Sequence, residues 1–267
     1  FPYTTLFRSV FPVSRVMTLR QFSSELEGHP TPRIPGVDAA TGSLGQGLSV
    51  GAGLAIGAKM DKLGTRVYVL LGDGELAEGS NWEAAEFAGH YKIDNLTAIC
   101  DINALGQSER TMYRHDMEIY RRKFDSEGWD TQVIDGHDIA AVLSALDHAK
   151  ATTGRPQAII GRTIKGHGVS FLADKDGWHG KPLSNEQLAK AVAEMGGPIE
   201  VAADPGRSYE RTNLPEPPAY AEPPAPSYKP DASVATREAY GNALKRIGAV
   251  NTHIVALDGD VKNSTFA

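Results

Sequence analysis

The chain has 267 residues, an ordinary share of apolar residues and a formal net charge of −6. This composition is typical of a globular protein, and the length allows one large domain or one domain with part of another. The negative charge and the lack of a strong basic cluster argue against nucleic-acid binding. No run approaches the roughly 18 apolar residues of a membrane span, so we expect no membrane contact. The single cysteine, Cys100, excludes an internal disulfide and favours the reducing cytoplasm.

Residues 1–17 show no pattern that assigns them to a domain. The first nine, FPYTTLFRS, lack the apolar core and the cleavage site of a signal peptide. They look like translated sequencing-adaptor read-through, and we interpret them as an artefact without function.

From residue 42 onward, apolar runs of strand length alternate with segments of helical period. The predicted elements are a glycine-rich helix at 42–60, a strand at 66–71, a helix from Ser80 to Tyr91, a strand at 96–100, a helix at 113–127, a strand at 131–134, a helix after Asp138 and a strand at 157–164. Repeated strand–helix units of this kind predict an α/β fold with a doubly wound, mostly parallel sheet and helices on both faces.

Local signals mark the start of two of these helices. Ser80 and Glu83 match a capping box, and Asp138 matches an N-cap. The helix after Asp138 places its apolar positions on one face: Ile139, Val142, Leu143 and Leu146.

A change in composition predicts a second domain. We assign residues 18–213 to the α/β domain and 214–232 to a linker, because seven prolines lie between Leu214 and Asp231. Residues 233–267 then read as a helix at 234–248 and a strand at 253–257. One helix and one strand cannot bury their apolar faces, so this segment is expected to be the beginning of an incomplete α/β domain.

Polar side chains follow three of the predicted strands. Asp73 lies between two glycines after the first strand, Asn103 comes thirty positions later, and Lys165 follows the last strand. Ligands of such sheets bind at the carboxyl ends of the strands. An acid and an amide suit Mg²⁺ shared with a diphosphate, and the flanking glycines allow phosphate oxygens to approach the backbone. There are two alternatives to this metal–diphosphate site: a dinucleotide-binding fingerprint, and a plain turn with a solvated Asp73. The spacing of the residues alone leaves all three interpretations open.

Seven segments in order resemble transketolases, which are thiamine diphosphate enzymes. They are ATGSLGQGL (40–48), GDGELAEGSNWEA (72–84), DINALGQS (101–108), IKGHG (164–168), WHGKPL (178–183), ATREAYGNAL (235–244) and ALDGDVKNSTF (256–266). The resemblance covers residues 18–267 and implies the thiamine diphosphate-binding domain followed by the start of the pyrimidine-binding middle domain.

The resemblance also implies roles for individual residues. Asp73, Asn103 and the Leu105 carbonyl would bind Mg²⁺ or another divalent cation such as Ca²⁺ or Mn²⁺. The implied cofactor contacts are Gly42, Ser43, Leu44, Gly74, Asn103, Lys165 and His179. The implied substrate contacts are His29, Gln107, His179, Arg237 and Ser264, of which His179 and His29 would be catalytic. Glu78 and Glu83 match carboxylates near the subunit contact, whereas His137 and His167 are interpreted as structural.

The implied activity is transfer of a two-carbon ketol group from a ketose phosphate to an aldose phosphate, in the pentose phosphate pathway, by a cytoplasmic homodimer. The glutamate that activates the cofactor belongs to the middle domain beyond Ala267, so we expect this chain to be a fragment truncated at both ends and inactive alone. The alternatives are a thiamine enzyme that makes deoxyxylulose phosphate, against which LGQGL and WHGKPL argue, and a non-catalytic module that holds a diphosphate.

Overall fold

A computed structural model describes residues 13–34, 37–197, 219–229, 231–260 and 262–265. The chain forms two compact units, Phe1–Tyr209 and Glu210–Ala267. The adaptor-like segment 1–9 and the predicted boundary at 213/214 lie outside the described residues, so both interpretations stay predictions.

The first unit contains every helix and strand predicted between residues 42 and 164, with shifted ends. In chain order the elements are α1 (Val13–Val16), α2 (Gly47–Met60), β1 (Val67–Gly72), a 3-10 turn (Glu75–Ala77), α3 (Gly79–His90), β2 (Leu96–Ile102), α4 (Met117–Ser126), β3 (Asp130–Asp135), α5 (Ile139–Ala151), β4 (Gln157–Arg162) and α6 (Asn185–Glu194). Helix α6 was not predicted, although Ser184 and Gln187 form a full capping box before it.

The four strands form one parallel sheet in the order β1-β2-β4-β3. In register, Gly72 lies opposite Asp101, and Asp101 lies opposite Gly161. The carboxyl ends of β1, β2 and β4 therefore meet at one edge of the sheet. This edge receives the loops that carry Asp73, Asn103 and Lys165.

Helices cover both faces of the sheet, which confirms the predicted fold class. Apolar residues of α2, α3 and α4 pack with one face in the main core, whose members include Leu48, Ala85 and Phe124. On the opposite face, Ala145 and Ala149 of α5 pack against Ile159. Adjacent residues of β4 point to opposite faces, as in any strand, so Ile159 and Ile160 belong to different clusters.

The glycine content of α2 has a packing reason at Gly51. A Cβ there would lie 2.4 Å from Cγ2 of Val69, so α2 approaches β1 more closely than an alanine would allow. Helix α2 begins at Gly47, five residues later than predicted, because residues 42–46 form a loop with positive φ at Gly42 and Gly45. A positive φ is incompatible with a helical turn.

The predicted capping box at α3 is wrong. Glu78 occupies the N-cap position without a side-chain cap bond, and Ser80 lies inside the helix. The Ser80 hydroxyl instead donates to the Gly45 carbonyl at 2.8 Å and links α3 to the 42–46 loop. Ser80 therefore makes a tertiary contact in place of the local capping bond that the sequence pattern predicted.

Asp138 caps α5 as predicted, with its side chain accepting from the Ala140 and Ala141 amides. The predicted apolar face of this helix is only partly correct. Ile139 and Leu143 are 69% and 58% exposed, and the buried positions are Ala145 and Ala149. The small alanines let α5 lie close to the sheet, so the buried stripe is rotated toward them.

The second unit contains α7 (Thr236–Val250) and α8 (Lys262–Thr265). The predicted strand at 253–257 is wrong, because these residues have no regular structure. An isolated strand leaves its backbone groups unpaired, and the described part of this unit offers no strand for pairing. Whether the unit begins a second α/β domain stays a prediction.

The proline-rich segment of the second unit is fastened along α7. The Asn251 side chain bonds both backbone groups of Ala221, at 2.9 and 3.0 Å. Nearer the start of the helix, Arg246 donates to the Pro224 carbonyl at 2.7 Å and Asn242 donates to the Tyr228 hydroxyl at 2.7 Å. These bonds hold residues 221–228 antiparallel to α7.

Within the described part of the chain, no helix is both long and apolar enough to cross a membrane.

Candidate functional site

Most predicted site residues of the first unit line one cavity of about 370 Å³ at the carboxyl edge of the sheet. They are His29, Gly42, Leu44, Asp73, Gly74, Asn103, Leu105, Gln107, Lys165 and His179. Ser43 lies on an adjoining cavity of about 440 Å³. Arg237 in α7 and Ser264 in α8 belong to the second unit and are exposed. The structure thus brings ten of the predicted residues together.

Asp73 is a buried carboxylate with three hydrogen-bond donors. Its Oδ2 accepts from the Ala104 amide at 2.7 Å and from the Thr111 hydroxyl at 2.9 Å, and its Oδ1 accepts from the Gly74 amide at 3.0 Å. Burial raises the pKa of Asp73 above its ordinary value, against the opposing effect of these hydrogen bonds. A bound cation would favour the charged form that burial disfavours.

Asn103 is oriented by hydrogen bonds on both sides of its amide. Its Nδ2 donates to Asp101 Oδ2 at 3.3 Å, and its Oδ1 accepts from the Leu105 amide at 3.1 Å. Asp101 is a residue to which the sequence pattern assigned no role. Because a carboxylate accepts only, Asp101 selects the nitrogen of Asn103 and leaves its oxygen for other partners.

The turn between Asn103 and Leu105 has an unusual backbone. Ala104 is fully buried and has φ +65°, a left-handed conformation that costs about 1–2 kcal/mol for a residue with a Cβ. Its amide donates to Asp73 Oδ2, and such hydrogen bonds to charged groups contribute roughly 1.5–3 kcal/mol. Among the described residues, none donates a hydrogen bond to the Leu105 carbonyl oxygen, which is therefore available to a ligand.

These oxygen atoms fit a hard divalent cation. An Asp carboxylate, an Asn amide oxygen and a backbone carbonyl at one cavity wall supply part of the six oxygens that Mg²⁺ requires, and phosphate oxygens and water usually supply the rest. No cluster of three or more His, Cys, Asp or Glu side chains able to hold a metal occurs among the described residues. A site with one carboxylate is expected when a diphosphate shares the cation.

The glycines leave room for a ligand at this edge. A Cβ on Gly72 would meet no protein atom within 4 Å, so the backbone beside Asp73 is open. At Gly42, where φ is +112°, a Cβ would lie 2.1 Å from Cδ2 of His29. Glycine at position 42 is therefore required for His29 to occupy the cavity wall.

Glu75 is a second residue to which the sequence pattern assigned no role. Its carboxylate accepts from the Gly45 amide at 3.0 Å and from the Gly72 amide at 3.2 Å. Glu75 therefore fastens the 42–46 loop to the end of β1. Its place two residues after Asp73 was visible in the sequence, but the loop it would contact was not.

Lys165 and His179 lie beside each other at the cavity, with Lys165 Nζ 3.1 Å from His179 Nδ1. An ammonium group only donates, so Nδ1 of His179 accepts and the ring proton lies on Nε2. His167, two residues after Lys165, stacks on His137 with ring centroids 3.9 Å apart, and Nε2 of His137 accepts from the Ile164 amide at 2.8 Å. These contacts support the interpretation of His137 and His167 as structural residues of the loop that carries Lys165.

A parallel sheet with glycine backbones, oxygen donors and a lysine at its carboxyl edge is typical of α/β domains that bind a phosphorylated cofactor. The family model described as "Transketolase, thiamine diphosphate binding domain" matches residues 6–212 of this chain. The chain belongs to the transketolase family, and the resemblance seen in the sequence is confirmed.

Individual relatives agree with this assignment. Transketolase of Homo sapiens is 44% identical to the chain over 263 residues, which are 95% of the chain and 41% of that protein. A transketolase structure from Campylobacter jejuni has a TM-score of 0.68 at 32% identity, and the match covers 78% of this chain and 33% of that one. A variant transketolase from Pichia stipitis in complex with fructose-6-phosphate has a TM-score of 0.63 at 28% identity, covering 76% and 31%. The chain spans about two fifths of the length of the curated relatives it matches.

Proposed function

We propose that the protein formed by this chain is a transketolase, which moves a two-carbon ketol group from a ketose phosphate to an aldose phosphate in the pentose phosphate pathway. The observation that carries the proposal is the single cavity that gathers Asp73, Asn103, Lys165 and His179 at the strand ends. The relative from Pichia stipitis bound to fructose-6-phosphate supports sugar phosphates as the substrates.

The proposed cofactors are thiamine diphosphate and Mg²⁺ or another divalent cation. Asp73, the Asn103 oxygen and the Leu105 carbonyl would bind the cation, and Lys165 would add positive charge near the diphosphate. Gly42, Ser43, Leu44 and Gly74 would contact the cofactor. When bound, thiamine diphosphate supplies the electron sink that cleavage of a bond beside a carbonyl requires, since no side chain can delocalise that charge.

The histidines and Gln107 would handle the hydroxyl groups of the sugar. Because Lys165 occupies Nδ1 of His179, the Nε2 proton is free for a hydrogen bond to substrate or for proton transfer. His29 lines the same cavity, against Gly42, and Gln107, which is exposed, lines it as well. Arg237 and Ser264 are proposed to bind the substrate phosphate, because the planar guanidinium of arginine binds phosphate oxygens in pairs.

We also propose that the protein acts as a cytoplasmic homodimer. Glu78 and Glu83 match carboxylates that lie near the subunit contact in transketolases, and Glu78 is exposed at the start of α3. Size-exclusion chromatography with light scattering tests the oligomeric state of the full-length protein. A monomer at micromolar concentration would contradict the dimer.

The cation site is tested by thermal denaturation with Mg²⁺ and thiamine diphosphate. Both ligands together should raise Tm of the wild-type chain, since a ligand that binds the folded state stabilises it. Asp73→Ala should abolish this rise, whereas Asp61→Ala, which removes an exposed carboxylate after α2, should keep it. A rise of equal size in the Asp73 variant, or no rise in the wild-type chain, would contradict the proposed cation site.

A further inference from the structure

Thr111 touches the proposed cation ligand but belongs to none of the motifs that identify the family. Its hydroxyl donates to Asp73 Oδ2 at 2.9 Å. Its own backbone is fixed, because the Thr111 amide donates to the Ala104 carbonyl at 3.1 Å beside the bridge between Leu105 and Arg110. Thr111 is therefore held by the same turn that carries Asn103 and Leu105.

The Thr111 hydroxyl reaches Asp73 in a second cavity, of about 450 Å³, which is lined by Asp73, Thr111 and the buried Tyr120 of α4. A threonine hydroxyl has one proton, which it donates to Asp73.

The two carboxylate oxygens of Asp73 differ in the number of acceptor positions that hydrogen bonds leave free. A carboxylate has about four acceptor positions, two on each oxygen. Oδ2 uses both, for the Ala104 amide and the Thr111 hydroxyl, while Oδ1 uses one, for the Gly74 amide. Only Oδ1 keeps a position for a further partner.

We propose that Thr111 is a positioning residue that holds Oδ2 of Asp73 and presents Oδ1 to the divalent cation. The inference rests on the proposed function, in which Asp73 binds that cation. Hydrogen-bonded partners of metal ligands commonly change metal affinity by about 10–100-fold when they are removed. Thr111 would thus act on cation affinity without touching the cation.

The experiment measures Mn²⁺ binding to the full chain by electron paramagnetic resonance, in the presence of thiamine diphosphate and with a protein-free control. Thr111→Val keeps the shape of the side chain and removes the hydroxyl, and should weaken Mn²⁺ binding by about tenfold or more. Thr111→Ser keeps the hydroxyl and should bind nearly as the wild-type chain does.

Thr131→Val is the matched control. The Thr131 hydroxyl is buried in β3 without a hydrogen-bond partner among the described residues, so its loss should leave Mn²⁺ binding unchanged. Equal affinity of the wild-type chain and Thr111→Val would overturn the inference while the proposed function stands. A serine variant as weak as the valine variant would also overturn it, because the hydroxyl would then not be the active group.

Two further outcomes separate this inference from the proposed function. No Mn²⁺ binding by the wild-type chain, or unchanged binding by Asp73→Ala, would remove the cation site itself. If circular dichroism shows that Thr111→Val is unfolded, Thr111→Ala, which also removes the hydroxyl, decides, and wild-type Mn²⁺ affinity of that folded variant would overturn the role of Thr111.

Discussion

Gly42 shows how a single backbone position controls the site. Its φ of +112° is strained for any residue with a Cβ, and the added atom would overlap the His29 ring. The glycine therefore both turns the loop and makes space for a side chain of the cavity wall.

Gly42→Ala should lower the free energy of unfolding by about 1–3 kcal/mol, the cost of strained backbone conformations, and should displace His29. Urea denaturation measures the first effect, and the rise of Tm with Mg²⁺ and thiamine diphosphate, expected to shrink, measures the second. Gly53→Ala is the control: a Cβ there meets no atom within 4 Å inside α2, so this variant should be more stable by up to about 1 kcal/mol. Equal stability of the two variants would refute the steric argument.

The sequence was sufficient to predict those residues of the candidate site that come directly after a strand. Asp73, Asn103 and Lys165 each follow a strand, and parallel strands bring their carboxyl ends to one edge. Asp101, Thr111 and Glu75 were missed because their contacts depend on turns: the left-handed Ala104, the bridge after Leu105 and the 42–46 loop. Alanine is not a residue from which a positive φ is predicted, so this turn carried no sequence signal.

Features of helices and strands were predicted correctly where neighbouring residues determine them. They were predicted poorly where contacts with distant parts of the chain determine them. The Asp138 cap needs only its own side chain and the next amides, and it forms as predicted. The buried stripe of α5 depends on how closely the sheet approaches, and residues 253–257 depend on a partner strand. Neither the hydrophobic period of a segment nor the strand propensity of its residues contains information about these distant contacts.

Asp138→Ala should destabilise the first unit by about 1 kcal/mol, because the amides of Ala140 and Ala141 lose their acceptor. Urea denaturation followed by circular dichroism measures the change. Asp147→Ala lies near the other end of α5 and removes no cap, so it should change stability by less than about 0.5 kcal/mol. A loss as large in the control as in Asp138→Ala would show that charge, and not capping, is responsible.

At the scale of the whole molecule, surface carboxylates determine the response to acid. Hydrogen bonds from Arg121 to Glu118, from Arg110 to Asp174 and from the Ser170 amide to Glu194 hold the pKa of each acid below its ordinary value of 4.5, 3.8 and 4.5 respectively. A lowered pKa in the folded state means that the unfolded chain takes up protons first. Their contribution to stability is therefore complete above the ordinary pKa and is lost as the pH falls through the lowered values.

Tm should accordingly stay level from pH 7 to about 5 and fall as the pH drops below about 4.5, where the unfolded chain begins to bind these protons. The fall should be smaller in 1 M NaCl, because salt screens exposed ion pairs. Differential scanning calorimetry across the pH range measures both. Arg121→Gln should also reduce the fall, since it removes the partner of Glu118, and a fall of the same size in this variant would exclude that pair as a contributor.

The position of β1 at the end of the strand order has a consequence for the behaviour of concentrated solutions. One side of β1 has no neighbouring strand among the described residues, and Leu70 and Tyr68 of this strand are 71% and 46% exposed. An open edge with apolar side chains is a template on which a strand of another molecule can add. We therefore expect this chain, stored alone at high concentration, to form oligomers and precipitate through β1, and a lysine in place of Leu70 to keep it in solution.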